Sequence, residues 1–255
     1  MNKSKTELGE FLSSTDKENN NDAELLAIHD NIVKSFGRHW NLHLLVLLKR
    51  QSISRILFLD FIYKKIIDVP GYVIEFGVQW GATLNILLHL RGIYEPYNYS
   101  RKIVGFDTFE GFVEVAPEDG QSSNIGDYRT MPNYEDTLSE ILLLQESQSP
   151  INHIKKHELI KGDVCCTLEA WKEANPALIV SLVFFDMDLY KPTKFALEAI
   201  IDRCVVGSIL VFDEFNCEKF PGETKAVLEV LGNQKMKRVP NMPYCAYWVV
   251  DRLPI

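Results

Sequence analysis

The sequence predicts an α/β fold: a mostly parallel seven-stranded sheet with helices on both faces and an antiparallel hairpin at one edge. Three observations predict it. From residue 72 onward, short β-branched runs alternate with amphipathic stretches, the pattern of successive β–α–β crossovers. The last two runs, 235–239 and 244–250, have only 240–243 between them, which leaves room for a hairpin and not for a crossover helix. Ahead of residue 68 the apolar residues recur at helical spacing instead.

In chain order, residues 1–21 are polar and rich in Lys, Glu and Asn, so a disordered tail is expected. Over 22–67, Leu25, Ile28, Ile32, Val33 and Phe36, then Leu44, Leu45, Leu47, Leu48, Ile56, Leu59 and Ile66, predict two or three helices as an N-terminal extension. Pro70 and Gly71 end that pattern. Within the main domain, 68–255, strands are predicted at 72–76, 102–106, 157–160, 178–185 and 208–212. Helices are predicted at 81–91, 134–146, 165–174, 191–203 and 222–231, before the closing hairpin.

A chain of 255 residues, 46% apolar and 24% charged, can bury one substantial core. Its net charge of −8 argues against nucleic acid as a partner, because that affinity comes largely from Lys and Arg neutralising phosphates. No leader pattern opens the sequence, and the longest apolar run, 177–185, is too short to span a bilayer. A soluble cytoplasmic protein without a membrane partner is expected. The five cysteines, Cys165, Cys166, Cys204, Cys217 and Cys245, form no CxxC pair and no zinc-ligand spacing with histidine. They are expected to be reduced and mostly buried. The pairs His39/His43 and His153/His157 lack a third nearby ligand.

In an open parallel sheet, ligands bind at the carboxyl ends of the strands, near the point where strand order reverses. After the first strand of the sheet comes Glu75-Phe76-Gly77-Val78-Gln79-Trp80-Gly81-Ala82-Thr83. Gly77 would permit a tight turn under a ligand and Gly81 a close helix start. The turn is not GxGxxG, and the acid on the strand suits a cationic ligand group better than a pyrophosphate. S-adenosylmethionine fits. The next strand ends in Asp107 and Thr108, a carboxylate able to accept both ribose hydroxyls. Asp163 and Val164 follow the third strand, beside the expected adenine position.

The next two strands end in Phe185-Asp186-Met187-Asp188 and Phe212-Asp213-Glu214. Four carboxylates at adjacent strand ends repel one another unless a cation intervenes. Oxygen donors without His or Cys favour Mg²⁺, Mn²⁺ or Ca²⁺ over zinc, with Mg²⁺ or Mn²⁺ expected as the cofactor. The alternative is that these acids cap the helices that follow, Asp188 above all. The segment 112–132 is long for a loop, with a lid and a disordered insertion both open.

These blocks together resemble the macrocin O-methyltransferase family, metal-dependent sugar O-methyltransferases of antibiotic biosynthesis. The matching segments are VIEFGVQWGAT (73–83), GFDTFEGF (105–112), KGDVCCTL (161–168), FFDMDLYKPTKFALE (184–198), SILVFDEFN (208–216) and PGETKAVLEVL (221–231). The resemblance implies a class I methyltransferase, Rossmann-like fold with S-adenosylmethionine as cofactor. It implies Asp186, Asp213 and Glu214 as metal ligands, and Asp186 or Asp188 as general base; Asp186 also borders the cofactor. Glu75, Gly77, Gly81, Thr83, Asp107, Thr108, Asp163 and Val164 make up the remaining cofactor contacts. Where the family has Trp-Arg-Gly-Gly in the first turn, this chain has Gln79-Trp80-Gly81-Ala82, and Glu214 replaces a frequent aspartate. The implied acceptor is a hydroxyl of a sugar or glycosylated small molecule. A phenol or catechol acceptor, or a non-catalytic relative that binds the cofactor, is the alternative. The N-terminal helices are expected to cover the acceptor or to form a homo-oligomer contact.

Overall fold

The structure is a computed structural model that describes residues 2–239 and 241–251. It divides into two compact units, Met1–Leu57 and Phe58–Ile255.

In the first unit β1 (Asn2–Lys5) pairs antiparallel with β2 (Phe11–Ser14). Polar composition predicted disorder there; local turn bonds such as Gly9 N–H to Thr6 O, 3.0 Å, close a hairpin instead. α1 (Asp16–Ile32) starts at Thr15, whose hydroxyl accepts the Glu18 N–H while the Glu18 carboxylate accepts the Thr15 N–H at 2.7 Å. This capping box satisfies two amides that the first helical turn leaves open. A 3₁₀ turn, α2 (Trp40–His43), a second 3₁₀ turn and the start of α3 (Arg50–Lys64) follow. No residue of α1 is buried, and Leu26, Trp40, Leu42, Leu45 and Val46 are exposed.

The second unit holds the sheet. Its elements in order are β3 (Tyr72–Phe76), α4 (Ala82–Tyr94), β4 (Ile103–Asp107), α5 (Tyr134–Glu146), β5 (His157–Lys161) and α6 (Val164–Ala174). Next come β6 (Val180–Phe185), α7 (Tyr190–Ile200), β7 (Cys204–Phe212), α8 (Pro221–Leu231), β8 (Lys237–Val239) and β9 (Met242–Val249). Strand order is β5-β4-β3-β6-β7-β9-β8, parallel from β5 to β7, with β9 antiparallel to both β7 and β8. This is the Rossmann-like sheet that the sequence predicts. Of the expected hairpin turn, Pro240 lies outside the described residues.

Period-two alternation sorts the strands' side chains onto two core layers. Val73, Leu182, Phe184, Ile209 and Val211 join Phe58, Leu59, Ile62, Leu84 and Leu138 on one face. Ile74, Phe76, Val183, Phe185, Leu210 and Phe212 join Leu168, Leu197 and Val227 on the other. With both faces covered, the central strands read as continuous apolar runs. No helix among the described residues is long and apolar enough to cross a membrane.

Candidate active site

The chain enters the sheet at β3, moves outward to β5 and returns to β6, so strand order reverses between β3 and β6. Ladder bonds continue past the strands and align their carboxyl ends. Gly77 N–H donates to Phe106 O at 2.9 Å, Gly162 N–H to Asp107 O at 2.8 Å, Asp186 N–H to Phe76 O at 2.8 Å and Asp213 N–H to Phe185 O at 3.1 Å. Gly77, Asp107, Asp163, Asp186 and Asp213 therefore lie along one edge. At the reversal point the backbones nearly touch: a Cβ on Gly77, whose φ is +90°, would lie 1.9 Å from Asp186 O. Only glycine fits there.

On the cofactor side, Asp107 is tied to the first turn. One of its oxygens accepts the N–H groups of Val78 (2.7 Å) and Gln79 (2.8 Å), and the other accepts Phe109 N–H (2.6 Å). Burial pushes its carboxyl up, against the three amides that hold it down. Gly81, with φ of +78°, is the N-cap of α4, and Thr83 is buried in that helix's first turn. Glu75 is buried in the middle of β3, paired with Gly105 and Phe184. Thr108 closes a local turn, its hydroxyl donating to Gly111 O at 2.9 Å. Asp163 caps α6 by accepting Cys165 N–H at 2.9 Å, and Val164 is buried behind it.

On the acidic side, Asp188 is 7% exposed and is the middle residue of a γ-turn, Leu189 N–H to Met187 O at 2.7 Å, with φ of +62°. Left-handed backbone at a non-glycine residue is strained by about 1–3 kcal/mol, and such strain gathers at functional sites. Burial pushes the Asp188 carboxyl well up, and Asp186, Glu214, Asp213 and Asp119 push it further. The capping alternative fails for Asp188: α7 has Leu189 at its N-cap with no side-chain bond, and Tyr190 N–H is taken by Asp119 Oδ1 at 2.6 Å. The N-cap of α8 is Phe220, again without a side-chain bond. Yet no three His, Cys, Asp or Glu side chains among the described residues already stand as a ligand set for a metal ion.

Asp119 and Cys245 lie outside the matching segments, and Glu223 lies within 221–231 without being marked there as a site residue. Asp119, nearly fully buried, holds Ala116 N–H as well as Tyr190 N–H, which anchors the 112–132 segment against the start of α7. That segment is ordered, with Tyr128 packed on Phe112 and Phe220. Cys245, on β9, donates its thiol to Asp213 Oδ1 at 3.0 Å. Glu223, wholly buried in the first turn of α8, accepts Glu214 N–H at 2.9 Å. Of the cysteines, Cys204, Cys217 and Cys245 are buried as expected, whereas Cys165 is half-buried and Cys166 exposed. Residue 166 points outward because α6 buries Val164, Leu168 and Trp171 on its other face.

Two solved structures of CalS11 resemble the chain over nearly its whole length. One, described as the calicheamicin methyltransferase, is 33% identical, covers 99% of this chain and 100% of its own, and superposes with a TM-score of 0.88. The other, the apo form, described as a TDP-rhamnose 3'-O-methyltransferase of calicheamicin biosynthesis, is 32% identical over 94% of this chain and 97% of its own, with a TM-score of 0.80. The chain belongs to the macrocin O-methyltransferase family. It is accordingly an O-methyltransferase. The O-methyltransferase NovP, 17% identical over 78% of this chain and 81% of its own with a TM-score of 0.56, shares the fold. No protein-family model and no curated protein matches the chain.

Proposed function

We propose that this O-methyltransferase moves the methyl group of S-adenosylmethionine onto a hydroxyl of a sugar or sugar-bearing small molecule, with Mg²⁺ or Mn²⁺ held by Asp186, Asp213 and Glu214. The observation that carries the proposal is the crowding of acids after β6 and β7, Asp188 buried and Asp186, Asp213 and Glu214 half-buried, beside the glycine turn that Asp107 holds. The likeness to CalS11, whose description names TDP-rhamnose, supports the acceptor class.

The residues suit a hard cation. Every donor offered is a carboxylate oxygen, and the buried Oε2 of Glu223 has no hydrogen-bond partner among the described residues. Side-chain rotations would have to complete the ligand set, since none stands ready among the described residues. When bound, the cation would polarise an acceptor hydroxyl and orient it. The chain's own groups then have separable tasks. Asp107 shapes the turn at 77–81 that receives the donor, and Glu75 and the adjoining Gly77, Gly81 and Thr83 complete that wall. Thr108, Asp163 and Val164 flank the nucleoside part. Asp186 or Asp188 takes the hydroxyl proton as the oxygen attacks. Closely held reactants supply much of the rate by orientation alone.

The test is methyl transfer from labelled donor to a panel of nucleotide-linked sugars, glycosides and catechols, with and without EDTA. Turnover on a sugar, lost in EDTA and restored by Mg²⁺ or Mn²⁺, is expected. Turnover on catechols alone would replace the acceptor class, and turnover indifferent to EDTA would remove the cation.

A further inference from the structure

Glu223 is a carboxylate of this site that no strand end marks. It stands in the first turn of α8, just after Gly222, and is wholly buried. The helix cannot shift to relieve it: a Cβ on Gly222 would lie 2.1 Å from Asp119 Oδ1 and 2.7 Å from Tyr190 N. The start of α8 is thereby locked against the start of α7, directly after the Asp186–Asp188 turn.

The two oxygens of Glu223 are treated differently. Oε1 accepts the Glu214 amide at 2.9 Å, while Oε2 is buried with no hydrogen-bond partner among the described residues. Burial first, and then Asp188, Asp213 and Asp186, disfavour its charge. A hook for the Glu214 backbone needs one acceptor oxygen, which glutamine would offer at no electrostatic cost. A carboxyl with an orphan oxygen, under the influence of three other acids, is relieved only by holding a proton or by a positive charge that joins the group.

We propose that Glu223 is a further residue of the divalent-cation site: its Oε1 fixes the Asp213–Glu214 turn and its second oxygen supplies negative charge to the same cation. The inference rests on the reading above that a cation binds among Asp186, Asp213 and Glu214.

The test is Mn²⁺ binding by calorimetry to the full chain loaded with S-adenosylhomocysteine, for wild type, E223Q and E223A. The glutamine keeps the acceptor for Glu214 N–H and removes the charge. E223Q is expected to weaken Mn²⁺ about ten- to hundred-fold, with affinity for S-adenosylhomocysteine unchanged within about two-fold, the scatter usual for such comparisons. E223A should be at least as weak for Mn²⁺. Wild-type Mn²⁺ affinity in E223Q would overturn the proposal and leave Glu223 a backbone hook, whatever E223A does. Wild type that binds S-adenosylhomocysteine but no Mn²⁺ would instead overturn the cation reading itself. Should E223Q not fold, E223A and E223D decide together: weak Mn²⁺ binding in E223A with tighter binding in E223D, which keeps the charge, is expected, and wild-type Mn²⁺ affinity in E223A overturns the proposal.

Discussion

Two groups of buried acids in the same sheet domain are built in opposite ways. Glu146, at the end of α5, receives Arg91 Nη2 at 2.9 Å and Lys156 Nζ at 2.8 Å on one oxygen, with His157 Nδ1 3.6 Å from the other. Lys156 also donates to the carbonyls of Ile151 and Ile154. That cluster brings its own cations and ties α4, α5 and β5 together. Asp188 and Glu223 are also buried, yet neither is ion-paired among the described residues, and the charged groups that push on their carboxyls are other acids. Buried charge that is compensated within the chain serves the fold; buried charge of one sign marks where something from outside belongs.

The comparison can be broken most directly at Asp213. Asp213→Asn keeps an acceptor for the Cys245 thiol but removes one charge, so methyl transfer should fall by about 10³-fold. Affinity for S-adenosylhomocysteine should hold, and a steady-state assay with undiminished kcat would show that the acidic group does not serve the reaction. At the compensated group the effect should fall on stability instead. Glu146→Gln strands Arg91 and Lys156 in the core and should cost about 3–5 kcal/mol in urea unfolding. A loss below about 1 kcal/mol, within the range of surface pairs, would mean the cluster is not a closed ionic unit.

Asp107 lies between these extremes, a buried acid satisfied by amides. In Asp107→Asn the new NH₂ must face at least one of the three backbone donors, which should weaken S-adenosylhomocysteine by about 1–3 kcal/mol. Calorimetry giving wild-type affinity would detach the first turn from donor binding.

The smallest effect should come from His157. Burial holds its imidazole below the ordinary value of 6.5, helped by Lys155 and opposed by Glu146. The unfolded chain therefore takes up this proton first. The stability His157 contributes is complete above about pH 6.5 and declines as pH falls below it, by at most about 1.4 kcal/mol per pH unit, until the folded ring titrates too. Urea midpoints measured between pH 7.5 and 5.5 should fall less in His157→Gln; equal slopes would assign the acid sensitivity elsewhere.

Much of this domain is legible in the sequence, because the signals are local. The predicted helix 134–146 coincides with α5, and the strand at 72–76 with β3. The strand predicted at 208–212 begins earlier, at Cys204, where Gly207 separates the apolar Cys204-Val205-Val206 from the run that follows. The hairpin at β1 and β2 escaped because polar composition says nothing about short-range pairing. Of the site, the acids at the strand ends stand out by position. Asp119 does not: its partner Tyr190 is 71 residues away, and nothing in its own neighbourhood announces the bond. Cys245 reaches Asp213 across 32 residues in the same way.

The amino-acid order alone determined the alternation of strands and helices and which strands end in acids, since each is read from side-chain pattern over a few residues; the strand order, and with it the reversal point, came from the tertiary structure. Only the tertiary structure decided what each acid does. Asp107 gathers amides, Glu146 gathers cations, and Asp188 and Glu223 gather neighbours of their own sign. The reason is that a carboxylate's energy in a low-dielectric interior depends on the few groups within hydrogen-bond or Coulomb reach, and folding draws those from distant parts of the chain.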